Sequence, residues 1–128
     1  MAHPRTYKET DKFLKDLRRV ALSFPESVEI EAWGRPTFRA GKKMFATFVH
    51  HDGHGFAVSF KADPAERPAL VDDPRFYVPP YTGPSGWLAL DLTVATPDWT
   101  EVRELLESAY RQVALKRMLA ALDERDTG

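Results

Sequence analysis

One stretch of the sequence, residues 33–51, combines positive charge with aromatic rings and contains no carboxylate. Arginine can form paired hydrogen bonds with a phosphate group, lysine supplies a mobile positive charge, and an exposed ring can stack on an unpaired base. The interleaved rings are Trp33, Phe38, Phe45 and Phe48. The stretch therefore predicts weak binding of DNA or another nucleic acid, or an accessory regulatory role, through the basic face of a β-hairpin. The predicted contact residues are Arg35, Arg39, Lys42 and Lys43.

The same stretch also fits an ordinary β-hairpin whose outer face is charged. Gly41 can adopt a positive φ without steric cost, so "AGKK" indicates a turn. Lysines beside a turn discourage a strand edge from pairing with another chain. In this interpretation Phe38, Met44 and Phe48 belong to the core and the basic residues are solvated. The sequence leaves both interpretations open.

A second candidate site lies in the loop "RFYVPPYTGPSGW", where prolines and glycines alternate with rings. Glycines free the backbone to offer N–H groups to an anion, and the rings can line a pocket for a small molecule or a protein segment. Prolines and glycines also serve simply to route a chain over a sheet edge. The residues of this alternative ligand-binding site are Trp33, Tyr77, Tyr81, Gly83, Gly86 and Trp87.

The motif "HHDGH", residues 50–54, contains side chains that can bind zinc. Adjacent residues on a strand point in opposite directions, so His50 and His51 do not easily share a metal, and we predict a polar turn. The sequence contains no Gly-x-Ser-x-Gly, His-Glu-x-x-His or Walker motif. We therefore predict no catalytic residue, no metal and no cofactor, and a binding protein rather than an enzyme, although catalysis remains open.

The composition favours one soluble domain over residues 1–128, with a frayed tail at 123–128. Its 128 residues are 43% hydrophobic and 29% charged, and the net charge is −1. A near-neutral chain is poorly suited to coating DNA, so binding to nucleic acid is expected to be weak. There is no cysteine, no apolar leader and no membrane-spanning run, which favours the cytoplasm. The oligomeric state is not indicated.

Hydrophobic periodicity predicts an α+β fold in the order α-β-β-β-β-α-β-α. Thr6 and Glu9 form a capping box for a first helix that ends at Pro25, and Asp98 caps a long last helix. Alternation predicts that Val28, Ile30 and Ala32 form the buried row of the first strand. The strands are predicted at Val28–Trp33, Thr37–Ala40, Met44–Val49, Phe56–Phe60 and Trp87–Val94. Both long helices are expected on one face of an antiparallel sheet.

Four segments, "AWGRPTFRAGKKMFATF", "FKADPAER", "GPSGWLALDL" and "ELLESAYRQVA", resemble the MmcQ/YjbR-like family in order along nearly the whole chain. The resemblance implies a small bacterial single-domain protein with a frataxin-like (CyaY-like) fold, whose sheet is likened to a double-wing DNA-binding motif. The family's function is poorly defined. Pro84 and Ser85 stand where relatives often carry a lysine. The lysine- and arginine-rich first helix also lacks the clustered carboxylates that iron binding by frataxin-like proteins requires.

Overall fold

Six strands form one antiparallel sheet in residues 3–127, the part of the chain that the computed structural model describes. The elements are α1 Leu14–Ala21, β1 Val28–Ala32, β2 Arg35–Ala40, β3 Lys43–His50, β4 Phe56–Lys61, α2 Arg67–Val71, β5 Phe76–Tyr77, β6 Trp87–Asp91, α3 Trp99–Val113 and α4 Lys116–Thr127. The strands lie in the order β1-β2-β3-β4-β6-β5, so β1 and β5 are the edges. None of the described helices is long and apolar enough to cross a membrane.

The core lies between the helices and one face of the sheet, as the α+β prediction requires. Its centre is a ring cluster in which Tyr110 of α3 stacks on Phe24 at 5.0 Å and meets the edge of Phe45 at 5.7 Å. Apolar residues from α1, β3, β4, β6 and α3 are buried together in this core: Leu17, Phe48, Phe60, Leu90, Leu105, Leu106 and Val113. The predicted architecture is therefore confirmed, and we call the sheet face opposite the helices the open face.

A β-bulge changes which residues of β3 enter the core. The register passes from Phe38 opposite Ala46 to Arg39 opposite Met44, which leaves Phe45 as the extra residue. Simple alternation predicts Phe45 on the opposite side from Phe48, and that prediction is wrong, because both rings are buried in the same core. The bulge also turns Met44 to the open face, where its side chain lines a cavity.

The faces of β1 are the reverse of the prediction. Val28 and Ile30 are 48% and 47% exposed, and they pair with open-face residues of β2. Glu29 lies on the helix side, where Arg18 binds both of its carboxylate oxygens at 2.8 and 2.9 Å. Glu31 accepts a 2.7 Å hydrogen bond from the hydroxyl of Tyr7. Alternation identifies the strand, but these ionic contacts determine which row faces the helices.

The first helix begins at Leu14, seven residues later than a cap at Thr6 predicts. Thr6 is used elsewhere, since its N–H and its hydroxyl both donate to the carbonyl oxygen of Gly34, at 2.8 and 3.0 Å. Glu9 forms an ion pair with Arg18 instead of capping the helix. Residues 4–6 therefore lie against the turn between β1 and β2, where a Cβ at Gly34 would clash with the carbonyl oxygen of Pro4.

In the C-terminal half the predicted cap of the long helix is confirmed, but the structure differs from the prediction in three other respects. The carboxylate of Asp98 accepts hydrogen bonds from the N–H groups of Thr100 and Glu101, so α3 begins as predicted. The chain becomes extended at Ala114, and α4 follows as a separate helix. Residues 123–127, predicted to fray, are helical, and residue 128 lies outside the described residues. The proline-rich segment also supplies β5, a short strand that the sequence did not predict.

The buried hydroxyl of Tyr110 gives a test of the core. It donates a 2.7 Å hydrogen bond to the carbonyl oxygen of Pro25. We expect Tyr110→Phe to lower the free energy of unfolding by about 1–3 kcal/mol, because a buried acceptor loses its donor. The control is Tyr81→Phe, at a side chain that is 97% exposed, for which the change should stay within about 0.5 kcal/mol. Urea unfolding followed by circular dichroism measures both, and equal losses would contradict this account of the core.

Candidate anion-binding pocket on the open face

The open face is built from small side chains in its centre and is partly covered by a loop. Val49, Ala57 and Ala89 form a minor cluster there, with Tyr77 packed against it. The loop of residues 78–86 then crosses the face and ends in a 3₁₀ turn at Gly83–Ser85. Because the side chains on neighbouring strands are small, a cavity remains between the sheet and this loop.

The cavity has a volume of about 130 Å³. Its sheet side includes Arg35, Thr47 and Ser59, and its walls include Trp33, Tyr81 and Trp87. A cavity of roughly 150 Å³ can hold a benzene molecule, whereas sites for drug-sized ligands measure roughly 300–1,000 Å³. The cavity can therefore receive one ring or one phosphate-sized group, with the remainder of a larger ligand outside.

Arg35 is the only arginine of this cavity and is half-buried. The ion pairs among the described residues leave Arg35 without a carboxylate, and its buried Nε has no hydrogen-bond acceptor there. Burial lowers the pKa of its guanidinium group. Arg18 and Arg75, by contrast, each bind two carboxylates. An unpaired buried charge is costly, so Arg35 offers paired N–H donors to an incoming anion.

Aromatic side chains surround this charge at very different depths. Trp87 is only 7% exposed, whereas Trp33 is 52% and Tyr81 97% exposed. Trp33 and Tyr81 also have positive φ values, 54° and 67°, which bulky residues rarely adopt. Backbone strain of this kind persists where surrounding structure holds a residue in place, and it often occurs at ligand-binding sites. The two exposed rings can contact a planar group at the mouth of the cavity.

His51 borders the cavity and belongs to a second polar cluster. Its Nδ1 lies 2.7 Å from the hydroxyl of Tyr77, and the ring of His54 stacks on Tyr77 at 3.6 Å. Burial, together with the positive charge of Arg35, lowers the pKa of His51. Burial and then the charge of Asp91 raise the pKa of Tyr77 to about 12, so its hydroxyl stays protonated at neutral pH.

Asp91 is the buried carboxylate of this region, and hydrogen bonds keep it ionised. Burial by itself raises the pKa of Asp91, but the hydroxyl and N–H of Thr93 and the N–H of Gly55 donate to the carboxylate. The net pKa is lowered. Through these hydrogen bonds Asp91 holds the turn after β3, and it forms no ion pair with Arg35 among the described residues.

The four basic residues predicted to bind nucleic acid do not form one row. Arg35 and Arg39 share the open face, and the guanidinium carbon of Arg39 lies 6.0 Å from the ring centre of Trp33. Lys43 pairs with Ala40, a core residue, which places Lys43 on the helix side. Lys42 lies at the turn and borders the same cleft as Arg39, together with Glu26 and Arg117. The structure thus places Arg35 alone in the cavity under the loop, Arg39 and Lys42 at a second cleft, and Lys43 on the helix side.

The residues of the second predicted site are also divided. Trp33, Tyr81 and Trp87 line the cavity together with Arg35, whereas Tyr77 faces a neighbouring cleft with His51 and His54. Gly83 and Gly86 donate their N–H groups to the carbonyl oxygens of Pro79 and Gly83. In this structure these N–H groups hold the loop's own turn, and their use for an anion stays a prediction.

The histidine motif lies at the end of β3, where its first two histidines point in opposite directions. His50 packs on Phe56 at 4.8 Å on one side of the strand, while His51 turns to Tyr77. Across residues 3–127, no three His, Cys, Asp or Glu side chains form a group that could hold a metal ion. Sequence reasoning missed His51 as a pocket residue, although it follows Thr47 and Val49 at the two-residue spacing of the open face.

Together the fold and the pocket define an α+β protein with helices on one sheet face and, on the other, a small cavity that contains Arg35. The family model of YjbR matches residues 22–112, so the chain belongs to the YjbR family. Its fold is similar to the crystal structure of Deinococcus radiodurans protein DR2400, which has a DUF419 domain. The TM-score is 0.68 at 22% identity, over 86% of this chain and 87% of that one. No curated protein sequence matches the chain.

The unpaired charge of Arg35 predicts an unusual effect on stability. We expect Arg35→Met to raise the free energy of unfolding by about 1 kcal/mol, because a buried unsatisfied polar group is removed while the aliphatic stem remains. Arg18→Met should lower it by about 1–2 kcal/mol, since Glu29 loses a bidentate partner that is only partly solvated. Urea unfolding of both variants measures the difference. A large loss of stability in Arg35→Met would show that Arg35 supports the fold.

Proposed function

We propose that the chain is a cytoplasmic binding protein, without catalytic activity, that recognises an anionic group attached to a planar ring. Arg35 binds the anion inside the open-face cavity, and Trp33, Tyr81 and Trp87 contact the ring. The observation that carries this proposal is the half-buried guanidinium of Arg35, which has no carboxylate partner among the described residues. A protein gains nothing in stability from such a charge, so binding is the better explanation.

The cavity volume limits how a ligand can bind. At about 130 Å³ the cavity holds one small group, so the remainder of the ligand must lie across Trp33 and Tyr81 at its mouth. Two kinds of ligand fit this arrangement: a small aromatic acid or ester, and one unit of a longer single strand. We favour the small ligand, because only Arg35 of the four predicted basic residues reaches the cavity.

A single-stranded nucleic acid is the second candidate, and one observation favours it. Arg39 lies on the open face beyond the cavity, beside the half-exposed ring of Trp33, and forms no ion pair with the described residues. Phosphates spaced along a strand can use Arg35 and Arg39, while an unpaired base stacks on a ring. Duplex DNA is less suitable, because its bases are stacked inside the helix and none is free to stack on the rings at the mouth of the cavity.

The small-ligand proposal is tested by titrating the protein with phenyl sulfate while tryptophan fluorescence is recorded. We expect binding to change the emission, because Trp87 and Trp33 line the cavity. Arg35→Met should weaken binding at least about tenfold, since a hydrogen bond to a charged group contributes about 1.5–3 kcal/mol. The matched control is Arg39→Met, an open-face arginine outside the cavity, which should bind like the wild type. Unchanged binding in Arg35→Met would overturn the proposal.

The nucleic-acid candidate is tested with a fluorescently labelled oligo-dT strand at several salt concentrations. Two arginine contacts predict a log–log slope of about −1.4, because each phosphate contact to a single strand contributes about −0.7. Four contacts, including Lys42 and Lys43, would give about −2.8. We expect Arg39→Met to halve the slope and the Lys42→Ala/Lys43→Ala double variant to leave it unchanged. Absence of binding at low salt would exclude a single-stranded nucleic acid as the ligand, and the small-ligand proposal would remain.

A further inference from the structure

We propose that the anionic group recognised in the open-face pocket is a phosphomonoester dianion, held jointly by Arg35 and His51, and that its binding takes up one proton. The inference rests on the proposed function and names the chemical class of its ligand. Three observations carry it: the position of His51 beside Arg35, the hydrogen bond that orients the imidazole ring, and the balance of charges in the pocket.

The position of His51 follows from the register of β2 and β3. Thr37 pairs with Thr47, so continuing the antiparallel register places Arg35 opposite Val49 and His51 two residues further along the same face. Diagonal neighbours of this kind have Cα atoms about 7–8 Å apart, a gap that long side chains bridge. Arg35 and His51 both border the cavity, so one small anion can contact both.

The ring of His51 is oriented by its neighbour. Nδ1 lies 2.7 Å from the Tyr77 hydroxyl, while the described hydrogen bonds leave Nε2 unoccupied. A protonated imidazole has two N–H donors. Nδ1–H can then donate to the oxygen of Tyr77, and Nε2–H is free to donate to a phosphate oxygen. Tyr77 thus acts as a positioning residue for the anion contact.

The titratable groups around His51 determine when it is protonated. They are Arg35 on β2, then His50, Asp52 and His54 beside its own strand, and the neutral hydroxyl of Tyr77 on β5. Asp91 on β6 lies beyond His54, at 3.7 Å from its Nδ1. In the empty pocket, burial and then Arg35 lower the pKa of His51 below its usual 6.5. The ring is therefore neutral at neutral pH.

An incoming dianion reverses that balance. Arg35 neutralises one negative charge, and the second raises the pKa of His51, so a proton enters the complex from solvent. A monoanion is already balanced by Arg35 and has no need of a charged His51. The pair of residues therefore distinguishes a phosphomonoester, whose second pKa is about 6, from a sulfate ester or a carboxylate of similar shape.

The first experiment compares phenyl phosphate with phenyl sulfate, which share a ring and a tetrahedral anion but differ in charge. At pH 7.5 we expect the wild type to bind phenyl phosphate at least about tenfold more tightly, the gain typical of one further charged hydrogen bond. His51→Gln should abolish this preference without weakening phenyl sulfate. The matched control is His50→Gln, which changes an adjacent ring that packs on Phe56 outside the cavity and should keep the preference.

The second experiment uses the unaltered protein, so it does not depend on a variant that folds. Calorimetric titration with phenyl phosphate in two buffers of different ionisation enthalpy should reveal uptake approaching one proton, and titration with phenyl sulfate should reveal none. Equal affinity for the two esters, or no proton uptake, overturns the inference. If the inference fails but phenyl sulfate still binds through Arg35, the proposed function remains supported. If neither ester binds, the inference and the proposed function are both contradicted.

A phosphomonoester of this kind can belong to a small metabolite or to the end of a nucleic-acid strand. Oligo-dT with and without a 5′-phosphate separates these sources. Tighter binding of the phosphorylated strand, abolished by His51→Gln, assigns the pocket to a strand end. Equal binding of the two strands, together with selective binding of phenyl phosphate, assigns it to a small ester. Either result supports the inference, and a preference for the unphosphorylated strand contradicts it.

Discussion

Burial of a single sheet face against α1, α3 and α4 is the constraint on which the remainder of this structure depends. The large core rings, including Phe45, Phe48 and Tyr110, lie on that side. The open face receives small residues and a proline-rich loop instead of helices. A loop fits a sheet less closely than a helix does, because its backbone must satisfy its own hydrogen bonds in tight turns. The pocket is the space left by this looser cover.

The two sides of the sheet treat arginine differently. On the helix side Arg18 joins Glu29 and Glu9 in a closed network, which ties α1 to the edge strand and leaves no charge free. On the open face Arg35 is held under the loop with no such carboxylate among the described residues. The same residue type is therefore paired in one place and unpaired in another, and the difference lies in what surrounds it.

Much of the fold could be predicted, because the strands, the Asp98 cap and the core residues follow from periodicity and capping chemistry. The errors have common physical causes. Alternation cannot reveal a bulge, which belongs to the pairing of two strands, so Phe45 was misplaced. It also cannot tell which row of β1 faces the helices when ion pairs decide the matter. The sequence assigned Arg35 and Trp87 to two separate candidate sites. Only the register of the sheet shows that both line one cavity, and that His51 lines it too.

The segment of residues 3–13 links one wall of the cavity to the core. It lies outside residues 22–112, which the family model matches, yet Thr6 binds the Gly34 carbonyl beside Trp33 at the mouth of the cavity. In the same segment Tyr7 is buried in the core and donates a hydrogen bond to Glu31 of the edge strand β1. The position of Trp33 is therefore tied through a few residues to the packing of the interior, so a substitution that loosens Tyr7 is expected to move this wall of the cavity as well.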